Sequence, residues 1–184
     1  GGRAPQITGN LTAVENETIW RPPPDMQMRI REFNWTDCIQ TADGLETNLE
    51  RNVMRAECYS LRAIEAGQSM LCDQAASQLN QYKEGEKELV PKIRNACFYN
   101  FAVYNKNYGI CNNMVEPRGE VGLISECMAV AKRNITLCED VDDEVRLIEC
   151  KAILRKSMFL CNNLTEEGLR EGCYDQVRMW GMTV

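Results

Sequence analysis

Ten cysteines and no histidine decide which chemistry this 184-residue chain can perform. Cys38, Cys58, Cys72, Cys97, Cys111, Cys127, Cys138, Cys150, Cys161 and Cys173 are even in number, far above ordinary usage, and never spaced CxxC as a zinc site prefers. The pattern predicts a full set of disulfides and hence an oxidising compartment. Without His, the Ser-His-Asp and Cys-His nucleophile arrangements, His-bearing zinc sites and axial-His haem are all excluded. Oxidised cysteines cannot act as nucleophiles or ligands, so the expectation is no catalytic residue, no metal and no cofactor: not an enzyme. A carboxylate pair of the glycosidase kind is the remaining possibility. The run Glu139-Asp140-Val141-Asp142-Asp143-Glu144 is its candidate, and the candidate for Ca²⁺, but it lacks the Gly and distal Glu of an EF-hand. Acidic residues at a helix start ordinarily serve as N-cap and dipole partners, and that is the reading adopted.

Five N-x-[ST] sequons, at Asn10, Asn16, Asn34, Asn134 and Asn163, agree with the cysteines. Together they predict a secreted or cell-surface protein carrying N-linked glycans. Lys plus Arg number 21 against 27 Asp plus Glu, a formal charge of −6, which argues against a nucleic-acid partner. No apolar run reaches the roughly 18 residues of a membrane span, and Gly1-Gly2-Arg3 carries no signal-peptide core, so a processed mature chain is expected.

The elements that position these residues fall into two regions. Residues 1–25 contain no Cys, two sequons and the run Pro22-Pro23-Pro24, which favours polyproline II and cannot continue a helix. Ile7, Leu11, Val14 and Trp20, spaced in a polar background, suit an extended arm lying on a neighbouring molecule. Fully extended, such an arm spans about 80 Å. Residues 26–184 read as helical, with stripes such as Leu45, Leu49, Val53 and Ala56 broken at Asp43-Gly44, Gly67, Gly85, Pro91, Gly109 and Gly122. Phe98, Tyr99, Phe101, Tyr104 and Tyr108 are expected to form the packed face of one helix, and residues 83–92 a solvated helix or loop.

A repeat runs through the second region. Glu126-Cys127-Met128-Ala129 aligns with Glu149-Cys150-Lys151-Ala152, and Leu137-Cys138 with Leu160-Cys161, at a period of 23 residues. Each unit is a Cys, then 10 or 13 residues of which the last is aliphatic, then a second Cys. Cys38 stands as a second half without a first, and Cys173 as a first half without a second. The fold class predicted is all-α, a disulfide-stapled helical repeat array with a helix and a short Leu-Cys turn per unit, preceded by the extended arm.

Two pairings are economical. One joins the cysteines within each unit, 58 to 72, 97 to 111, 127 to 138 and 150 to 161, leaving Cys38 and Cys173 free to join successive chains. The other joins each second Cys to the first of the next unit and leaves none over. Within-unit separations are constant at 14, 14, 11 and 11, while the others vary from 12 to 25, and this constancy favours the first. An 11-residue separation along one helix would place the Cα atoms about 16 Å apart, against roughly 4.4–6.8 Å for a disulfide, so a chain reversal must separate partners.

Cys58-Tyr59, Cys97-Phe98 and Cys173-Tyr174, alternating with Leu71-Cys72, Leu137-Cys138 and Leu160-Cys161, resemble the extracellular Cys-rich α-helical repeat proteins of archaeal and bacterial cell surfaces. The resemblance covers residues 36–175, with Cys127-Met128 and Cys150-Lys151 departing at the aromatic position. It implies an envelope or appendage setting and supplies no catalytic residue.

The function expected is a structural subunit of an extracellular filament or surface assembly, a homopolymer formed head to tail. Ile7, Leu11, Val14 and Trp20 of the arm, the incomplete terminal repeats and an apolar C-terminal Trp180 would make the contact between subunits. The alternative is a secreted or cell-surface binding module, such as a receptor ectodomain or surface antigen.

Overall fold

The computed structural model describes residues 25–116, 121–181, 183 and 184, with the backbone of 13–14 and 17–18. Ala13–Val14 (β1) and Glu17–Thr18 (β2) pair antiparallel, Ala13 opposite Thr18. Ile7, Leu11, Trp20, Asn10 and Asn16 lie outside the described residues, as does the side chain of Val14. Among the described residues from 25 onward every regular element is helical, as the three-to-four apolar spacing predicts.

Helices α1 (Met26–Glu32) and α2 (Trp35–Asp43) lie against α3 (Asn48–Ala66). Four longer helices follow, interleaved with short elements: α4 (Leu71–Ser77), α5 (Leu89–Tyr104), the 3₁₀ helix η1 (Tyr108–Asn113), α6 (Leu123–Lys132), η2 (Ile135–Asp140), α7 (Glu144–Arg155), η3 (Met158–Asn163) and α8 (Glu167–Trp180). The longer helices pack in the order α3, α5, α6, α7, α8, and α4, η1, η2 and η3 each pack on the longer helix before and the one after. Each short element returns the chain so that the next helix starts beside the start of the last. A Cβ on Gly122, which opens α6, would stand 3.0 Å from Val141 Cγ1 and 3.5 Å from Asp143 Cβ at the start of α7, so these N-termini abut. With φ at +86°, Gly122 is the only residue type suited to that contact and that backbone.

The return has a local cause. Helices α3, α5, α6 and α7 close on Gly67, Lys106, Arg133 and Lys156, all left-handed with φ between 53° and 65°. The next amide donates back to the carbonyl of a buried alanine, Gln68 to Ala63, Asn107 to Ala102, Asn134 to Ala129 and Ser157 to Ala152, at 2.9–3.0 Å. This is the six-to-one bond that ends a helix in a reversal, satisfying a carbonyl that helix geometry orphans. Nine residues after each of those alanines stands the second Cys of the unit: Cys72, Cys111, Cys138 and Cys161. The first Cys lies five residues before the alanine in the longer units and two before it in the shorter ones. The three-residue difference is close to one helical turn, so Cys58, Cys97, Cys127 and Cys150 all keep to the buried face.

All ten cysteines are bonded, in the pairs Cys38–Cys58, Cys72–Cys97, Cys111–Cys127, Cys138–Cys150 and Cys161–Cys173. This corrects the within-unit expectation. The constant 14- and 11-residue spacing belongs to the rigid helix and reversal, and the bonds cross instead to the following helix. Cys38 and Cys173 are spent inside the chain, so they cannot link successive chains.

Non-reducing peptide mapping is expected to recover Cys138 joined to Cys150, and not Cys127 joined to Cys138. Replacing both Cys138 and Cys150 by Ser should cost about 3 kcal/mol in urea denaturation, since that bond closes a 12-residue loop.

Candidate functional site

Strongly perturbed titratable groups mark functional centres in many proteins, and the described residues hold such a cluster across α5, α6 and α7. Tyr99 donates its hydroxyl to Glu126 Oε1 at 2.8 Å, and Arg146 donates to Glu126 Oε2 at 3.3 Å. Arg146 also lies 3.7 Å from Glu149 Oε1. Glu126 is fully buried and Tyr99 nearly so. Two carboxyl groups thus share one guanidinium. Burial pushes the Glu126 carboxyl up from its ordinary value of 4.5, opposed by Arg146. Burial, then the Glu126 carboxyl beside it, push Glu149 well above 4.5. The pair therefore retains a proton under conditions where an exposed pair would hold none. Burial, followed by the charge of Glu126, also raises Tyr99, which stays protonated and donates.

The carboxyls join neighbouring helices, with Glu126 fully buried and the Glu149 side chain 13% exposed. The sequence carries a faint signal of the cluster, which the reading above passed over: Glu stands directly before the first Cys in Glu57-Cys58, Glu126-Cys127 and Glu149-Cys150. Glu57 likewise pairs with an arginine of another helix, Arg29 of α1.

The acidic run 139–144 does not converge on a point. Asp143 caps α7, its Oδ1 accepting from Arg146 N at 2.9 Å, Glu144 lies in the first turn, Val141 is buried, and Glu139 pairs with Lys151 at 2.8 Å. Among the described residues no group of His, Cys, Asp or Glu is placed to hold a metal ion. Phe98, Tyr99 and Phe101 are core residues, as expected of a packed face. Tyr108 is half exposed, with the Lys132 ammonium 4.3 Å from its ring.

Two readings change. Trp180, expected at a subunit contact, is completely buried within the chain: Met179 and Val177 pack beside it, and Nε1 donates to Gln176 Oε1 at 3.2 Å. The tail beyond it turns back far enough for Arg133 Nη2 to donate to the Thr183 carbonyl at 2.8 Å. The apolar C-terminus completes the core because α7 and η3 leave it a face to cover. Glu86, expected in a solvated stretch, is only 3% exposed; it accepts from the Asn80 amide at 2.8 Å and lies 3.5 Å from Lys83. That amide holds its carboxyl below 4.5.

An open groove of about 450 Å³ runs between α4, the 78–88 loop and the start of α5, with Ala76, Leu79, Tyr82, Val90 and Arg94 among its walls. Among the described residues no helix is long and apolar enough to cross a membrane. The chain matches no known family, no curated protein and no solved structure.

The buried pair fixes a pH dependence. Carboxyls raised in the folded state favour folding fully below 4.5, where both states are protonated, and that contribution is lost as pH rises through the folded values. Glu86 has the opposite sign: its contribution is present above 4.5 and is lost as pH falls through its lowered value. Denaturation midpoints measured across pH should therefore show Glu149→Gln flattening the alkaline decline while leaving the acid limb unchanged. Glu126→Ala should cost about 3 kcal/mol at neutral pH, because it strips a buried partner from both Arg146 and Tyr99.

Proposed function

We propose that this chain is a non-catalytic structural subunit of an extracellular assembly, joined to copies of itself by packing rather than by disulfides. The observation that carries the reading is the apolar side chains left uncovered at the starts of three of the four short elements, α4, η1 and η3. Met70 is 72% exposed before α4, Tyr108 50% exposed on η1, and Met158 and Phe159 38% and 78% exposed on η3. Contiguous exposed apolar residues mark contact surfaces, and we place the contact at the adjacent Met158 and Phe159. The segment before Asp25 is the partner of matching chemistry. Ile7, Leu11, Val14 and Trp20 are spaced apolar residues ahead of a proline run, within reach of a second subunit. A contact between one subunit's arm and another's short elements is heterologous, and such contacts build open filaments unless their rotation closes. The five disulfides and the sequons support the extracellular setting.

The groove beside Tyr82, itself 86% exposed, favours a second reading, a secreted binding module with that groove as its ligand site.

Negative-stain microscopy of the native protein separates the two. Filaments or sheets are expected, and a chain lacking residues 1–24, as well as Phe159→Asp, should remain as single particles under the same conditions. Single particles from the intact protein would favour the binding module.

A further inference from the structure

Five Asn-x-Thr tripeptides take no part in the contacts that organise the core. Fifteen Asn and fourteen Ser or Thr among 184 residues would meet at this spacing about once by chance. They do so five times, always with Thr and never with Pro between. In the three tripeptides that fall on described residues the side chains alternate in one way. Asn34, Asn134 and Asn163 are exposed, and so are Thr36, Thr136 and Thr165. The middle residue turns inward: Trp35 meets the Tyr59 ring edge-on at 4.9 Å, Ile135 packs on the core, and Leu164 is 4% exposed. Each tripeptide is thus pinned at its centre while its amide and hydroxyl both face solvent.

Turn formation accounts for part of this pattern. Asn34 Oδ1 accepts from Asp37 N at 3.0 Å at the start of α2, and Asn134 Oδ1 accepts from Thr136 N at 3.1 Å as it opens η2. Capping explains an asparagine at these places. It does not call for an exposed Thr two residues on, and it employs only the oxygen of the amide, leaving Nδ2 free for chemistry.

We propose that Asn34, Asn134 and Asn163 are N-glycosylation sites. In the step, Nδ2 attacks the anomeric carbon of a lipid-linked oligosaccharide. The C–N bond forms as the bond from that carbon to the pyrophosphate oxygen breaks, the lipid pyrophosphate leaves, and one amide proton passes to the transferase. No electrons are exchanged, and the Oδ1 caps survive. Asn134 follows the C-terminal end of α6, and Asn163 lies just before the N-terminal end of α8. Glu166 and Gly122 open α8 and α6, while Arg133 and Thr183 bring the closing ends of those two helices together, so the helices run the same way. Sugars at Asn134 and Asn163 would therefore stand at opposite ends of the parallel helices α6 and α8. This site assignment stands or falls independently of self-assembly.

The test is glycopeptide mass spectrometry of the native protein, with variants secreted from a host that carries an oligosaccharyltransferase. All three peptides are expected to carry glycan. Thr36→Ala, Thr136→Ala and Thr165→Ala should each remove one glycan's mass while keeping the Asn cap, and the corresponding Thr→Ser changes should retain it. Recovery of any of the three native peptides at its bare polypeptide mass, or with its sugar on the Thr instead of the Asn, overturns the proposal.

Discussion

Each disulfide of this protein crosses from the element that ends one unit to the helix that begins the next, and the architecture depends on that direction. A bond within a unit would duplicate what the helix, its left-handed closing residue and the returning turn already determine. A bond to the next helix fixes what those local rules leave open, the placement of one unit on another. The stretches it closes, 12 to 25 residues, are the ones that vary in length along the chain. Loop-closure entropy grows only slowly with length, so a cross-link at the foot of each loop lets loops lengthen without loosening the stack.

Cysteine periodicity and apolar spacing made the all-α fold and the full oxidation of the cysteines legible in the sequence. The pairing was misread for a physical reason. Constant spacing reports rigidity, and a helix followed by a fixed reversal is rigid without a cross-link, as the nine residues from Ala63 to Cys72 and from Ala152 to Cys161 show. Trp180 was misread because α8 packs on α7 and η3, and no local pattern around residue 180 reveals that these elements leave a face for it. Glu86 was misread because its neighbours Lys83, Glu84 and Lys87 are solvated. One carboxyl in a charged run can turn inward to take an amide from Asn80, and composition does not say which one.

The buried cluster was the least legible part. Its members come from three helices, at residues 99, 126, 146 and 149, and only their packing brings them together. The Glu before each Cys gives the register, but the same position holds Ala96 and Gly172 in other units, so the position alone does not require a buried acid.

The positions of those acids relative to the cross-links are consistent with their cost. Glu126 and Glu149 each directly precede a half-cystine, Cys127 bonded to η1 and Cys150 bonded to η2. A buried pair of like charges pushes its helices apart. A covalent bond one residue away opposes that, and a retained proton removes part of the charge. The cluster thus sits beside two of the five cross-links. Because ionisation of the pair acts against two disulfide-fixed joints, its effect is expected in the energy of the middle of the stack rather than as separation of the helices, so rising pH should loosen amide protection in α5 to α7 before it alters overall shape.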